Sequence, residues 1–533
     1  VIRGGKIVDG TGNPWFSGDL AVRGDQIVAV GRVAEVMARR EIDARGLVVA
    51  PGFIDMHSHS DWLLLEDGNA QSKIRQGVTT EVLGESSSGG PSKGKLPARS
   101  ANIRGRSVRW STLGGYLDAL GQSGISTNVA SYVGLGNIWR CVMGDSFRRP
   151  LPKEFQEMKG LVAEAMEDGA FGLSSMLASP PGLLATTDDV VELCQVVGRY
   201  GGIYSTHIRN EGTGVFDAIN EAIAIGEQAG VPVDVIHIKI ADQKYWGRMH
   251  EIVGLIEQAR RRGANVQSNI YPYTRGNNNL VSIIPPWAHE GGREKLVDRL
   301  RDMEQRVKMK EDIHSGLPGW YNHYLAVGGD WSRMLVNANL SARNKRFEGL
   351  TMDRIIVMRT QDSNATPDPL DVLFDFLIEE NGSISTIYAH HTEEDMNMAL
   401  ARPWCSIGSD GSAYATEGPL RRGKPHPRNF GAFPRVLGVY VRERHLLRLE
   451  DAVRKMTSLN AAKLGIRDRG LLRPGNFADV TVFDPDRVID RATYLDPFQY
   501  SEGIEHVIVN GQLVLDRGRH TGARPGKPLR WGG

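Results

Sequence analysis

Short apolar runs that end in polar or charged residues alternate with longer stretches in which apolar positions recur every three to four residues. The rhythm holds from about residue 49 to 284 and resumes near 350. Runs of the first kind read as strands and those of the second as amphipathic helices. The strand candidates are "GFIDMHSH", "TTEVLGE", "STNVASYVG", "GAFGLSS", "GIYSTHIR", "PVDVIHIK", "NVQSNIYPY", "STIYAHH" and "CSIGSD", with helices such as "KEFQEMKGLVAEAMED" and "VFDAINEAIAIGEQAG" between several of them. Such alternation calls for parallel strands joined by crossover helices. Because the strands repeatedly end in His, Glu, Lys or Asp, the expected α/β fold is a (β/α)8 barrel of the TIM type, which builds its active site at the C-terminal strand ends. Nine candidates exceed eight by one, and the pattern does not say which is the extra.

The two ends carry a second pattern. "VIRGGKIVDG" from Val1 and "VIVNGQLVLD" from Val507 are each two β-branched runs around Gly-Gly or Asn-Gly, the turn chemistry of a two-residue hairpin. With "GDLAVRGDQIVAVG" and "ADVTVFDP" they predict a small β-sandwich domain built from both termini, residues 1–48 and 466–533. The barrel then falls into two parts, 49–284 and 350–465. Between them, over 285–349, the rhythm breaks into "HEGGREKLVDRLRDMEQRVKMKEDIHSG" and "WYNHYLAVGGDWSRML", which reads as an inserted lid-like subdomain over the barrel mouth.

Composition narrows the function. A chain of 533 residues exceeds what one hydrophobic core serves. Lys plus Arg (64) nearly cancels Asp plus Glu (63), which removes any global electrostatic reason to bind nucleic acid or a charged membrane surface; a small molecule is the expected partner, and a homo-oligomer is compatible with the near-neutral charge. Cys141, Cys194 and Cys405 lack the spacing of a disulfide framework or a thiolate metal cluster. With no apolar run near the roughly 18 residues of a membrane span and no charged-then-apolar leader, the expected location is the cytoplasm, although a chain starting at Val1 leaves room for a removed leader.

Candidate chemistry begins with His57 and His59 in "PGFIDMHSHSD": residues two apart in a strand share a side, as two ligands of one ion must. His207 and His237 end two further strands, and barrel closure would bring all four imidazoles toward one axis. Imidazole suits zinc and its neighbours, and a pair of cations needs an anionic bridge. Glu85 and Asp410 occupy strand ends where either serves that purpose; each alone reads equally as a cap or turn residue.

These motifs, together with "GGKIVDGTG", "QGVTTEVLGE", "HPRNFGAFPRVL" and "LGIRDRGLLRPGNFADVTVFDP", resemble the amidohydrolase superfamily, and within it the N-acyl-D-amino-acid deacylase (D-aminoacylase) group. The resemblance runs almost end to end and is weakest in the insertion. It implies a metal-dependent amidohydrolase that holds one or two divalent ions, zinc foremost, and cleaves the amide of an N-acyl amino acid. His57 and His59 match the first-strand ligands, His207 and His237 those of the second metal position, and Asp410 the general base, also a ligand. Tyr271, Tyr273 and Arg428 fall in stretches that resemble the group's carboxylate-gripping residues; Lys239, two residues after His237, shares that histidine's strand face by register and is a further candidate for the substrate carboxylate, or alternatively a stabiliser of the metal-site carboxylates. The group's Asn-Cys-Gly, whose cysteine binds metal, is replaced here by Glu85-Ser86-Ser87, and Glu85 is the better substitute because a serine hydroxyl is a poor ligand at neutral pH. The alternatives are a dipeptide, cyclic amide, carbamate or anilide hydrolase, or a metal-free scaffold. His289, His314, His323, His390 and His391 are expected outside the cluster, except that one of the insertion's histidines is a candidate to enter from the lid; Trp246 and Trp287 are candidates for an acyl-pocket wall.

Overall fold

The computed structural model describes residues 1–34, 37–361 and 367–532; residues 35, 36, 362–366 and 533, which fall within the expected domain segments, lie outside the described residues. Eight parallel strands form the barrel: β1 (Phe53–Asp55), β2 (Val78–Leu83), β3 (Asn128–Ser131), β4 (Gly172–Met176), β5 (Ile203–His207), β6 (Val233–Val235), β7 (Val266–Ile270) and β8 (Cys405–Ile407). Hydrogen-bonded neighbours run β1-β2-β3, then from the continuation of β3 at Val133–Gly134 through β4-β5-β6-β7-β8. β8 returns to β1 just past the strand ends, through a parallel bridge between Ser58 and Gly411. All six residues of β2 are buried, as expected of a parallel strand covered on both faces. The crossover helices turn one apolar stripe inward: Pro152–Glu167 buries Met158, Leu161, Val162, Ala165 and Met166, with Pro152 opening it and Glu154 reaching back to the Leu151 amide.

The surplus ninth candidate is "STIYAHH". Ser385–Tyr388 is not a barrel strand; it lies at the centre of an antiparallel sheet between Gly276–Asn279 and Met334–Ala338. A short apolar run buried in the insertion has the same pattern as one buried in the barrel, so periodicity alone does not separate them. This sheet packs on a second hydrophobic core reaching from Leu280 to Tyr388, with Phe347, Phe374 and Phe376 at its centre. On that packing we propose insertion limits of about 276–391, wider than 285–349, with the barrel on either side.

Strands from both ends join one nine-stranded sheet, sewn together where Val480–Phe483 runs antiparallel to Val48–Pro51. Alternate residues face opposite ways: Val49, Val480, Val482 and Ile508 enter the sheet's own core, while Val48, Phe483, Val507 and Val509 pack on the barrel. Asn510 and Gly511, both with positive φ, turn between Ile504–Val509 and Gln512–Asp516. Gly4-Gly5 is different from the expected turn: it sits inside the strand Ile2–Ile7 as a bulge, Gly4 alone taking positive φ (66°). Gly511 has the tighter constraint, since a Cβ there would lie 1.9 Å from the Gly24 carbonyl oxygen. Gly511→Ala should therefore cost about 1–3 kcal/mol in chemical denaturation, without altering metal content.

Candidate metal centre

The cluster stands where the barrel closes. Beyond β1 and β8, the Asp410 amide donates to the His57 carbonyl at 2.9 Å and the His59 amide to the Gly411 carbonyl at 2.9 Å. This register brings His57, His59 and Asp410 to one point, with Asp410 in the left-handed region (φ 51°), which aspartate tolerates better than most residues. Glu85 arrives from β2 after Gly84 (φ 92°), where a Cβ would lie 2.4 Å from the Tyr132 carbonyl oxygen; only glycine lets the chain turn Glu85 inward there.

His57 Nε2 lies 3.1 Å from His59 Nε2 and 2.9 Å from Glu85 Oε2. His59 Nε2 is 3.1 Å from that same oxygen and 3.0 Å from Asp410 Oδ1. One imidazole nitrogen has one proton or one lone pair to offer, so it cannot satisfy three neighbours by hydrogen bonding. Four donors around a tetrahedral zinc, each about 2.0–2.1 Å from the ion, sit roughly 3.3 Å apart. The spacing therefore fits a cation's ligand set. Glu85 also belongs to a second group, with Oε1 3.2 Å from His207 Nδ1, and His207 and His237 stack edge to face with centroids 4.5 Å apart. One carboxylate thus offers an oxygen to each group, as a bridge between two ions does. Ser86 belongs to neither group; its amide donates to Ser174 Oγ and its carbonyl accepts from the Gly136 amide.

The protein's own charges favour ionised carboxylates. Burial works against the Glu85 anion, yet the nearby His57 and hydrogen bonds from His207, His57 and His59 hold its carboxyl well below the usual range. Asp410 is likewise lowered, burial being outweighed by the Arg428 guanidinium and His57. Burial also disfavours the His59 cation, but hydrogen bonds to Asp410 and Glu85 push that ring up to about 10. His237 is pushed down to about 4 by burial and by the Lys239 ammonium. Protons stand in for cations here.

Glu211 is the residue the sequence reading missed. It lies four positions after His207 in "HIRNE", with Oε1 2.5 Å from Lys239 Nζ and 3.2 Å from His237 Nδ1. Burial is outweighed by Lys239, His207 and His237, which hold its carboxyl well below the usual range. Lys239 is consequently engaged with Glu211 and with His237 Nδ1 (2.8 Å), and is absent from the lining of the cavity that opens over the cluster. Lys239 is thus paired with a carboxylate that belongs to neither group of candidate ligands. Tyr273 is also turned away, its hydroxyl donating to Asp490 under the Arg435 guanidinium. Tyr271 lies inside the site, its ring beneath Arg428 (4.8 Å) and its hydroxyl buried without a hydrogen-bond partner among the described residues. Arg428 Nη1 is 2.7 Å from Asp410 Oδ2, an ion pair without hydrogen-bond alignment.

The cavity, about 340 Å³, is lined by His59, Asp410 and Arg428 on the barrel side and by Asn277, Asn337 and Ser385 of the insertion. A second cavity of about 220 Å³ lies across Asn278 and Asn279, walled by Met176, Val281, Ile284, Trp320 and His323. His323 is the histidine that enters from the insertion, 3.2 Å from Asn278 Nδ2. Trp246 and Trp287 line neither cavity: the Trp287 indole donates to Asp312 and that of Trp246 to the His390 carbonyl. His390 and His391 lie just past their strand and turn toward each other, Nδ1 to Nδ1 at 2.9 Å, apart from the cluster. His289 reaches the Ile284 carbonyl, and His314 packs on Tyr324.

The amidohydrolase family model matches residues 40–267 and 409–515. The chain belongs to the amidohydrolase family. It is 34% identical to the D-aminoacylase of Alcaligenes xylosoxydans xylosoxydans, over 99% of this chain and 97% of that protein. Its structure superposes on the N-acyl-D-glutamate deacylase of Bordetella bronchiseptica, solved with zinc and a phosphonate inhibitor that mimics the tetrahedral intermediate, with a TM-score of 0.81 and 32% identity, covering 99% of this chain and 98% of that one. A structure of D-aminoacylase that addresses the role of its binuclear metal centre gives a TM-score of 0.80 at 33% identity, covering 99% of each chain. Divalent metal is the cofactor of this amidohydrolase, and the donor set fits it.

Glu85→Ala should lower zinc content by at least one ion per chain and Ser86→Ala should leave it unchanged, read by elemental analysis; unchanged stoichiometry in Glu85→Ala removes the bridge. In metal-free protein, His59 titrates near 10 against an ordinary 6.5, so its contribution to stability is complete below about 6.5 and is lost as pH rises through about 10. Because 39% of its side chain is open to solvent, screening trims the effect. Chelated protein should therefore lose thermal stability between pH 7 and 10 while zinc-loaded protein does not.

Proposed function

We propose that this amidohydrolase releases an amino acid from an N-acyl amino acid, the N-acyl-D-amino acid being the best-supported class. The observation that carries the reading is the convergence of His57, His59, Glu85, His207, His237 and Asp410 beneath a cavity whose lining has a single Lys or Arg, Arg428. These residues would hold zinc, which when bound would lower the pKa of a water and polarise the amide carbonyl. Asp410, kept ionised by Arg428 and His57, takes the proton of the attacking water and passes it to the departing amine. Arg428 presents a guanidinium to the substrate carboxylate over the face of Tyr271. The insertion's apolar cavity takes the acyl group, and it excludes water from the amide.

Arg428, which already pairs with Asp410 at 2.7 Å, is the one Lys or Arg of the lining among the described residues, and the substrate's α-carboxylate has to share it. The lining side chains from the insertion, Asn277, Asn278, Asn279, Asn337, Ala338, Asn339 and Ser385, are neutral, so a second, side-chain carboxylate would be left unpaired. The reading is therefore an amino acid with a neutral side chain. The exchange of Asn-Cys-Gly for Glu85-Ser86-Ser87 supports a second reading, the same site acting on a dipeptide or cyclic amide. The buried free thiols of Cys141, Cys194 and Cys405 suit the cytoplasm, and no helix among the described residues is long and apolar enough to cross a membrane.

A panel of N-acetyl D- and L-amino acids, dipeptides and cyclic amides, assayed with zinc, decides between these. N-acetyl-D-glutamine should exceed N-acetyl-D-glutamate at least about tenfold in kcat/KM, given the roughly 1.5–3 kcal/mol carried by a charged hydrogen bond. Asp410→Asn should retain zinc and lose about 10²–10⁴ in kcat; a variant that keeps most of its turnover excludes Asp410 as the base.

A further inference from the structure

Beneath each half of the cluster lies a lysine–aspartate pair, fully buried, that touches no reacting group. Under the first half, Lys73 Nζ is 2.6 Å from Asp55 Oδ2, with the buried Glu81 carboxylate farther off at 3.8 Å, and also donates to Ser409 Oγ (2.8 Å) and the Gly411 carbonyl (3.0 Å). Asp55 Oδ1 accepts from the Ser409 amide at 2.7 Å and the His57 amide at 3.3 Å. Lys73 and Asp55 thereby clamp the end of β1 to the end of β8, on either side of the seam that carries His57, His59 and Asp410. Under the second half, Lys463 Nζ donates to Asp234 Oδ1 (2.6 Å), the Ser268 carbonyl (2.6 Å) and Ser406 Oγ (2.7 Å). Asp234 Oδ2 accepts from Asn269 Nδ2 at 2.7 Å, and Asn269 Oδ1 accepts from the His237 amide at 2.9 Å. That chain of contacts ends on the backbone of a metal-ligand candidate held at positive φ (36°).

All four charged side chains are 0% exposed. Burying ions costs several kcal/mol each, and exchange of a buried pair for apolar residues is often neutral or stabilising, so stability alone does not account for two such pairs. Positive φ at Asp410 and His237 does account for them: such backbone persists only where its surroundings over-determine it. Each pair supplies fixed donors and acceptors at the peptide next to one strained ligand. The two networks share no residue.

We propose that Lys73–Asp55 and Lys463–Asp234 are separate positioning pairs, the first setting the metal position of His57, His59 and Asp410, the second that of His207 and His237. The proposal rests on the metal-centre reading, and it concerns backbone placement, not chemistry. It is tested by chelating full-length protein, titrating it with zinc by calorimetry below the melting temperature of each variant, and reading occupancy of the two positions by anomalous diffraction. Lys73→Met should weaken the first position at least tenfold and leave the second within twofold; Lys463→Met should do the reverse. Should either fail to fold, Ser409→Ala and Asn269→Ser cut the same networks at uncharged links and are read identically. Wild-type affinities at both positions in the variants, or equal losses at both, overturn the proposal. Wild-type protein that fills both positions yet cleaves no amide defeats the functional reading alone, and wild-type protein that fills neither defeats both.

Discussion

Two backbone hydrogen bonds, Asp410 to the His57 carbonyl and His59 to the Gly411 carbonyl, carry the rest of the structure. They close the barrel between its first and last strands, where the chain has travelled about 350 residues between partners. Without that seam the first half of the cluster has no common point, and Glu85 has nothing to bridge. Placing the closure at the C-terminal strand ends also leaves the opposite end free for packing, as the fold class requires.

The seam concentrates groups that repel or compete unless something positive sits among them. Glu85 and Asp410 both approach His59 Nε2 within 3.1 Å, and the protein meets their charge with Arg428 and with raised histidine basicity. That compensation is what a cation would relieve. Farther out, Glu211 and Lys239 neutralise each other beside His237, so the second position is built from a closed set of charges while the first opens to the cavity through the partly exposed His59. The two halves thus differ in solvent access as well as in ligands.

Much of this was legible in the chain. Histidines at the ends of apolar runs point inward once the barrel is assumed, because closure, not sequence spacing, sets their meeting point. Glu85 was legible by the same rule. Glu211 was not: it lies in a loop four residues past His207, where an acidic residue reads as a cap, and its role appears only with the fold of β5 against β6. Lys239 was assigned by register, which fixes its face but not the partner that captures it. Tyr273, two residues beyond Tyr271, passes to the outside of the site because the chain turns after β7, and Asp490 receives it. The ninth strand and the Gly4 bulge were misread for one reason: pattern reports burial and turn chemistry, but not which sheet a run joins.

The central claim is that Glu85 joins two cations in a centre of nitrogen and oxygen ligands. Zinc K-edge absorption fine structure on the fully loaded protein reads it directly. The account predicts a first shell of N/O scatterers only, with a zinc–zinc vector near about 3.5–4 Å. A sulfur scatterer in that shell, or a lone zinc with no metal neighbour at full loading, would contradict it.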